Sequence, residues 1–319
     1  MIRLSFVNGM REAASSGLRR LSALPGHRPT ALAEQVAMIA VGPGPQAAVD
    51  SLLASELDLT DPANSVALRA LLEQLATLEQ HDEAQEFIAA ALAAHPDAAV
   101  FYDLKARALR AAGGPADEIR KAFQQAVERD PTHLDSLISL AELAAADDKI
   151  DAAIALYDRA SEAAPDDLRA AHAAIALLRS AERVEEAEPR LAALVESNPT
   201  DAQAANDLAE ILADRGEDLD RSLELARRAD YFITVPEAPE TLGWILLLRQ
   251  EYEPAVEALT RALELRPESA SARYRLGLAL AAQGDEERAR EAFLEVMKAD
   301  APEAEQARIE IARLDSAAE

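Results

Sequence analysis

Five histidines are the first candidates for chemistry in this chain, because imidazole ligates metals and moves protons near neutral pH. They are His27, His81, His95, His133 and His172. A helix-borne zinc site needs two of them four positions apart on one face, and no pair here has that spacing. His81, His95 and His133 fall where the sequence predicts turns, so satisfied or solvated rings are expected. The chain has no cysteine, which excludes zinc-thiolate sites, iron-sulfur clusters, disulfides and thiol nucleophiles together. Val41-Gly42-Pro43-Gly44-Pro45 comes nearest to a phosphate loop, yet it lacks the Lys-Ser/Thr ending and its prolines cannot donate amides. Carboxylates are abundant, but Glu185-Glu186 and Asp285-Glu286-Glu287 read as first turns of helices, where the macrodipole favours acid. The expectation is a non-enzymatic protein with no catalytic, cofactor or metal site.

Charge narrows the partners. Lys plus Arg number 32 against 58 Asp plus Glu, a net charge of −26, and such a field repels phosphate backbones and anionic headgroups. Nucleic acid is therefore not an expected partner. A protein or peptide of basic character suits the field, although dense acid also serves simply to keep an Ala-rich surface soluble. No stretch approaches the roughly 20 apolar residues of a membrane span, and residues 1–28 lack the compact apolar run of a secretory signal. A cytoplasmic location and no transmembrane segment follow as expectations.

The elements that would carry any binding surface are helices. Half of the residues are apolar, but Ala and Leu supply most of them; aromatics are 4% and glycines number 11, a mix that favours helix over strand. An internal period organises them. Pro62 and Pro96 are 34 apart, as are Pro131 and Pro165, then Pro165 and Pro199, while Pro267 lies two periods beyond. The one step of 35, from Pro96 to Pro131, is explained by an extra residue in the Gly113-Gly114-Pro115 turn. Leu208, Leu242 and Leu276 keep the beat, as do Gly243 with Gly277, Ala153 with Ala187, and Ala255 with Ala289. Within 134–167, Leu137, Leu140, Ala141 and Ala144 follow helical spacing, Asp147-Asp148-Lys149 interrupts it, and Ile150, Ala153, Tyr157 and Ala160 resume it. Each period is thus a helix hairpin.

Ile119-Phe123-Ala126-Pro131, Ala153-Tyr157-Ala160-Pro165, Leu242-Gly243 with Tyr252-Ala255-Leu259-Ala262-Pro267, and Leu276-Gly277 with Gly284-Ala289-Phe293 together resemble the tetratricopeptide repeat. The resemblance implies an all-α, right-handed superhelical solenoid of about eight hairpins. They are expected at 30–64, 65–98, 99–133, 134–167, 168–201, 202–235, 236–269 and 270–303, with a capping helix and tail at 304–319. Gly243, Gly277, Ala141 and Ala209 would let paired helices approach, and Ser222 would take the small-residue place in the sixth repeat. Pro189 falls on a second helix and must sit in its first turn or kink it.

In this family first helices line an inner groove, which implies a scaffold or adaptor that holds a peptide or partner helix. The alternative is a regulatory or assembly subunit of a larger enzyme, secretion or envelope and exopolysaccharide complex. The residues expected to face the groove are Arg107, Arg110, Arg169, His172, Asn206, Asp207, Glu210, Glu240, Trp244, Tyr274, Arg275 and Leu278. The only Trp stands among them, so the clamp is placed between Asn206 and Leu278; packing of that ring between neighbouring repeats is the competing reading. Of the Lys and Asn that family members use to hold acidic chaperone tails, Asn206 stands alone, the lysines are absent, and Glu210 and Glu240 stand nearby, so capture of such a tail is not expected.

Residues 1–29 differ from the rest. Arg3, Arg11, Arg19, Arg20 and Arg28 oppose the single acid Glu12, and Ile2, Phe6, Met10, Ala14 and Leu18 recur every four residues. A basic amphipathic helix of that kind can cap the first repeat, plug the acidic groove, or contact a membrane surface.

Overall fold

The computed structural model describes residues 24, 26–232, 234–299 and 301–317. These residues form seventeen α-helices and no strand. In chain order they are α1 (Arg28–Val41), α2 (Pro45–Leu53), α3 (Ser65–Thr77), α4 (His81–Ala94), α5 (Ala99–Ala111) and α6 (Ala116–Arg129). Next come α7 (Leu134–Ala146), α8 (Ile150–Ala163), α9 (Arg169–Ser180), α10 (Val184–Ser197), α11 (Ala202–Arg215) and α12 (Leu219–Tyr231). The last are α13 (Ala238–Leu248), α14 (Tyr252–Leu265), α15 (Ala270–Gln283), α16 (Glu286–Lys298) and the closing α17 (Ala304–Ala317). Consecutive helices pack in pairs, such as α5 on α6, α7 on α8, α13 on α14 and α15 on α16. The fold is an all-α repeat solenoid. It divides into two compact units, residues 1–170 and 171–319.

A backbone signature marks the period more regularly than the side chains do. The turn inside each hairpin from α3 onward places a residue in the left-handed region just after the first helix: Glu79, Gly113, Asp148, Glu182, Gly216, Gln250 and Gly284, with Asp218 a second such residue in the turn that holds Gly216. The residue just after the first helix ends it, and the chain enters the second helix two or three positions later. The longer form occurs after Gly113 and Gly216, where α6 begins at Ala116 and α12 at Leu219.

The core lies between paired helices and is built of aliphatic side chains against alanine. In the N-terminal unit Leu52, Leu68, Leu71, Leu75, Ile88, Phe101 and Leu104 are fully buried together. In the C-terminal unit Leu280, Phe293, Val296 and Ala307 close the last hairpin against α17. Ala153, Ala187, Ala255 and Ala289, one per repeat, have no exposed surface, as their recurrence predicts. A β-carbon added at Gly243 would lie 2.5 Å from Leu259 Cγ, which shows why glycine stands where α13 meets α14. Ser222 is fully buried and its hydroxyl donates to the Ala209 carbonyl at 2.7 Å, tying α12 to α11.

Two irregularities stand out. Pro189 sits inside α10, beyond its first turn, and leaves the carbonyl four residues back without an intrahelical donor. In the first hairpin Val36, Ala48 and Leu52 are buried, but α2 is only 9 residues long and starts at Pro45 after Gly44, whose φ of 111° requires glycine. Residues 1–23, most of the predicted amphipathic segment, lie outside the described residues.

Candidate functional site

The first helices carry the polar side chains singled out by the repeat pattern, and in the N-terminal unit these are joined into one ion-pair ladder. Asp103 on α5 has no exposed surface. Its carboxylate accepts from Arg107 Nε at 2.6 Å, from Arg69 Nη2 at 3.4 Å and from Ser136 Oγ at 3.1 Å. Asp135 on α7 accepts from Arg69 Nη2 at 2.9 Å and Arg169 Nη2 at 3.1 Å, with Arg107 Nη2 at 3.4 Å. Burial pushes the Asp135 carboxyl up, but the bonds and charges of Arg69, Arg107 and Arg169 outweigh it and hold the group below the usual carboxylate range. Arg107 and Arg169 are therefore structural cross-links between repeats.

Arg110, one turn beyond Arg107, is held differently. Its guanidinium lies 5.0 Å from the centre of the Phe123 ring, and its ion pair with Glu142 spans 3.6 Å. Beside it, between α3 and α5, opens a cavity of about 410 Å³. Leu72, Leu104, Ala76, Ala108 and Ala111 form its apolar wall, and Arg69, Arg107, Arg110 and Glu73 its polar rim.

The C-terminal unit holds Trp244. The ring is half-buried on α13; its Nε1 donates to Asp214 Oδ1 of α11 at 3.1 Å, and the Arg275 guanidinium of α15 stands 5.1 Å from the ring centre. The ring thus bridges three successive first helices, α11, α13 and α15, and is half-buried there. Arg179 of α9 pairs with Asp207 at 3.0 Å and Glu210 at 2.5 Å. Burial lowers the Arg179 pKa, and those two carboxylates more than restore it, leaving it above its ordinary value. His172 Nε2 lies 2.8 Å from Asp201 Oδ2, and Asp201 also caps α11 through the Ala204 amide.

Several residues expected to line an open groove are placed otherwise. Asn206, Asp207 and Glu240 are buried, at 3%, 9% and 7% exposure, because they sit on the side of their helices that meets the neighbouring repeat. Glu240 accepts from Ser269 at 3.1 Å, Ser271 at 2.5 Å and Arg275 at 3.0 Å, so it staples α13 to α15. The Asn206 Oδ1 is buried without a hydrogen-bond partner. Tyr274 packs at 5.8 Å between ring centres on Phe293, and with Leu278 it joins the apolar cluster closed by Ile311 and Leu314 of α17. Ser136, Asp201, Ser269 and Ser271 were not legible as site residues; each lies at or near the start of a first helix, where Ser and Asp read as caps. Among the described residues no group of three or more metal-ligating side chains converges, and no helix is long and apolar enough to cross a membrane.

The tetratricopeptide repeat family matches residues 172–239 and 241–305 by one profile and residues 112–178 by a second. With the helix hairpins and their buried small residues, this shows that the chain belongs to the tetratricopeptide repeat family. Members of this family bind proteins or peptides, serve as interaction scaffolds and are typically non-catalytic. No curated protein matches the chain in sequence. Among solved structures, the anaphase-promoting complex hetero-tetramer Cut9-Hcn1 superposes at a TM-score of 0.54 with 16% identity, covering 94% of this chain and 58% of that one. PilF of Pseudomonas aeruginosa superposes at 0.51 with 16% identity, over 64% of this chain and 92% of its own. The chain thus spans less than two thirds of the Cut9-Hcn1 chain, and both likenesses are of fold.

Proposed function

We propose that this protein is a non-enzymatic interaction scaffold that holds a peptide or partner helix against the first-helix face of residues 171–319, with Trp244 at its centre. The observation that carries the reading is the fixed, half-open indole. Asp214 and Arg275 hold the ring from either side, so contact with a ligand costs little side-chain entropy. Trp and Arg are also the side chains most often dominant in protein interfaces. Asp214 also lines a cleft with Arg179 and Glu210, and the chain's net charge of −26 favours a partner segment of basic character.

The test uses peptides selected from a random displayed library on the full-length protein. Their binding is followed by the fluorescence polarisation of dye-labelled peptide, which reads the unsubstituted protein and its variants alike. Trp244→Ala is expected to weaken the selected peptides by at least about tenfold while the protein keeps its helical circular dichroism. Selection of no peptide, or peptides indifferent to Trp244→Ala, overturns the proposal.

A further inference from the structure

The cavity between α3 and α5 lies in the other unit from Trp244 and has a different chemistry. We propose that it is a second ligand site, which seats a large apolar side chain of a protein segment while Arg110 pairs with an Asp or Glu next to that side chain. The inference rests on the reading that first helices present the binding face, and it names a partner segment opposite in charge to the one the net charge suggests.

Three observations lead there. The first is shape: Ala76, Ala108 and Ala111 stand where longer side chains would fill the space above Leu72 and Leu104, leaving about 410 Å³. That is room for a Leu or Phe side chain, and burying one is worth roughly a ten- to hundredfold in affinity. The second is charge. The lining carries three guanidinium groups, Arg69, Arg107 and Arg110, whose side chains are 36–43% exposed, whereas Asp103 is fully buried and the Asp135 side chain is 21% exposed. Glu73 is the one acid on the rim. The third is Arg110 itself. Its contact with the Phe123 ring fixes the guanidinium at the mouth, and its 3.6 Å pair with an exposed Glu142 leaves donors for another carboxylate. The basic segment at residues 1–29 has the wrong sign for this mouth.

The peptide selection on the full-length protein tests the site, with every peptide then synthesised with an amidated C-terminus so that only side-chain carboxylates remain. One enriched class is expected to carry a large apolar residue adjacent to Asp or Glu. Arg110→Glu should weaken that class by about tenfold or more, and exchanging its acids for Lys should restore binding to Arg110→Glu. Ala108→Leu, which fills the cavity, should weaken the same class about tenfold. Trp244→Ala should leave it unchanged. Should Ala108→Leu lose its helical signal, the exposed Arg110 and its charge exchange still decide. The proposal is overturned if the enriched peptides lack that pattern or ignore both variants. It is overturned equally if they bind only with a free terminal carboxylate, or if a peptide of residues 1–23 competes for the site. Peptides sensitive to Trp244→Ala but not to Arg110→Glu would sink this site and leave the proposed function standing.

Discussion

Gly277 faces the ring of Phe293 so closely that a β-carbon at that position would lie 2.5 Å from Cε1 and 2.9 Å from Cζ. The contact sets the spacing between α15 and α16, and Gly243 repeats it against Leu259 one period earlier. Gly277→Ala brings two opposed effects. Alanine improves helix propensity by about 1 kcal/mol, while forcing a methyl into a filled core costs about 1–3 kcal/mol. Since the ring is itself fully buried and has nowhere to turn, the clash wins. Thermal unfolding should show a loss of up to about 2 kcal/mol, and Phe293→Leu in the same chain should recover part of it. A stabilised Gly277→Ala would mean that the hairpin is looser than described.

The left-handed turn positions give a change of the opposite sign. Gln250 adopts φ 64° where Gly284 serves at the same place one repeat later. A β-carbon there costs about 1–2 kcal/mol, and glycine gives back about 0.5–1 kcal/mol through the entropy of the unfolded chain. Gln250→Gly should therefore stabilise by about 0.5–1 kcal/mol, and Gly284→Ala should destabilise by a similar amount. Denaturant midpoints measure both, and equal signs for the two would contradict the turn geometry.

Acid should loosen the ladder in the N-terminal unit. Asp135 is held below its ordinary value by Arg69, Arg107 and Arg169. Its stabilising contribution is thus fully present above the unfolded carboxylate pKa of about 3.9 and is lost as pH falls through the lower folded value. Asp135→Asn is expected to lower stability at neutral pH by about 1 kcal/mol, discounted for the half-exposed arginines. The gap from the unsubstituted protein should then shrink below pH 4 or so. Melting temperatures from pH 7 to pH 2.5 check this; a gap that stays constant rules out the assigned ion pairs as its source.

How far the sequence reached depends on which physical rule each feature obeys. The hairpins, the small residues at Gly243 and Gly277, and the extra turn residue near Gly113 are set by local chain geometry, which recurs at a fixed offset and so is visible in one sequence. The direction of polar side chains on a first helix is not local. Successive positions are about 100° apart, so a shift of one moves Asn206, Asp207 or Glu240 from an open face to the seam with the next repeat. Tyr274 and Leu278 follow the same logic, because α17 takes the place that another first helix would occupy. The cavity beside Arg110 left no signal at all; it exists through the shortness of Ala76, Ala108 and Ala111, which read as ordinary helix formers.

Hydrogen exchange of the full-length protein, with and without a selected peptide, tests the central claim most directly. Binding across first helices predicts added protection in α11, α13 and α15 for peptides sensitive to Trp244→Ala, with α12, α14 and α16 exchanging as before. Protection gathered on those second helices instead would contradict a first-helix binding face.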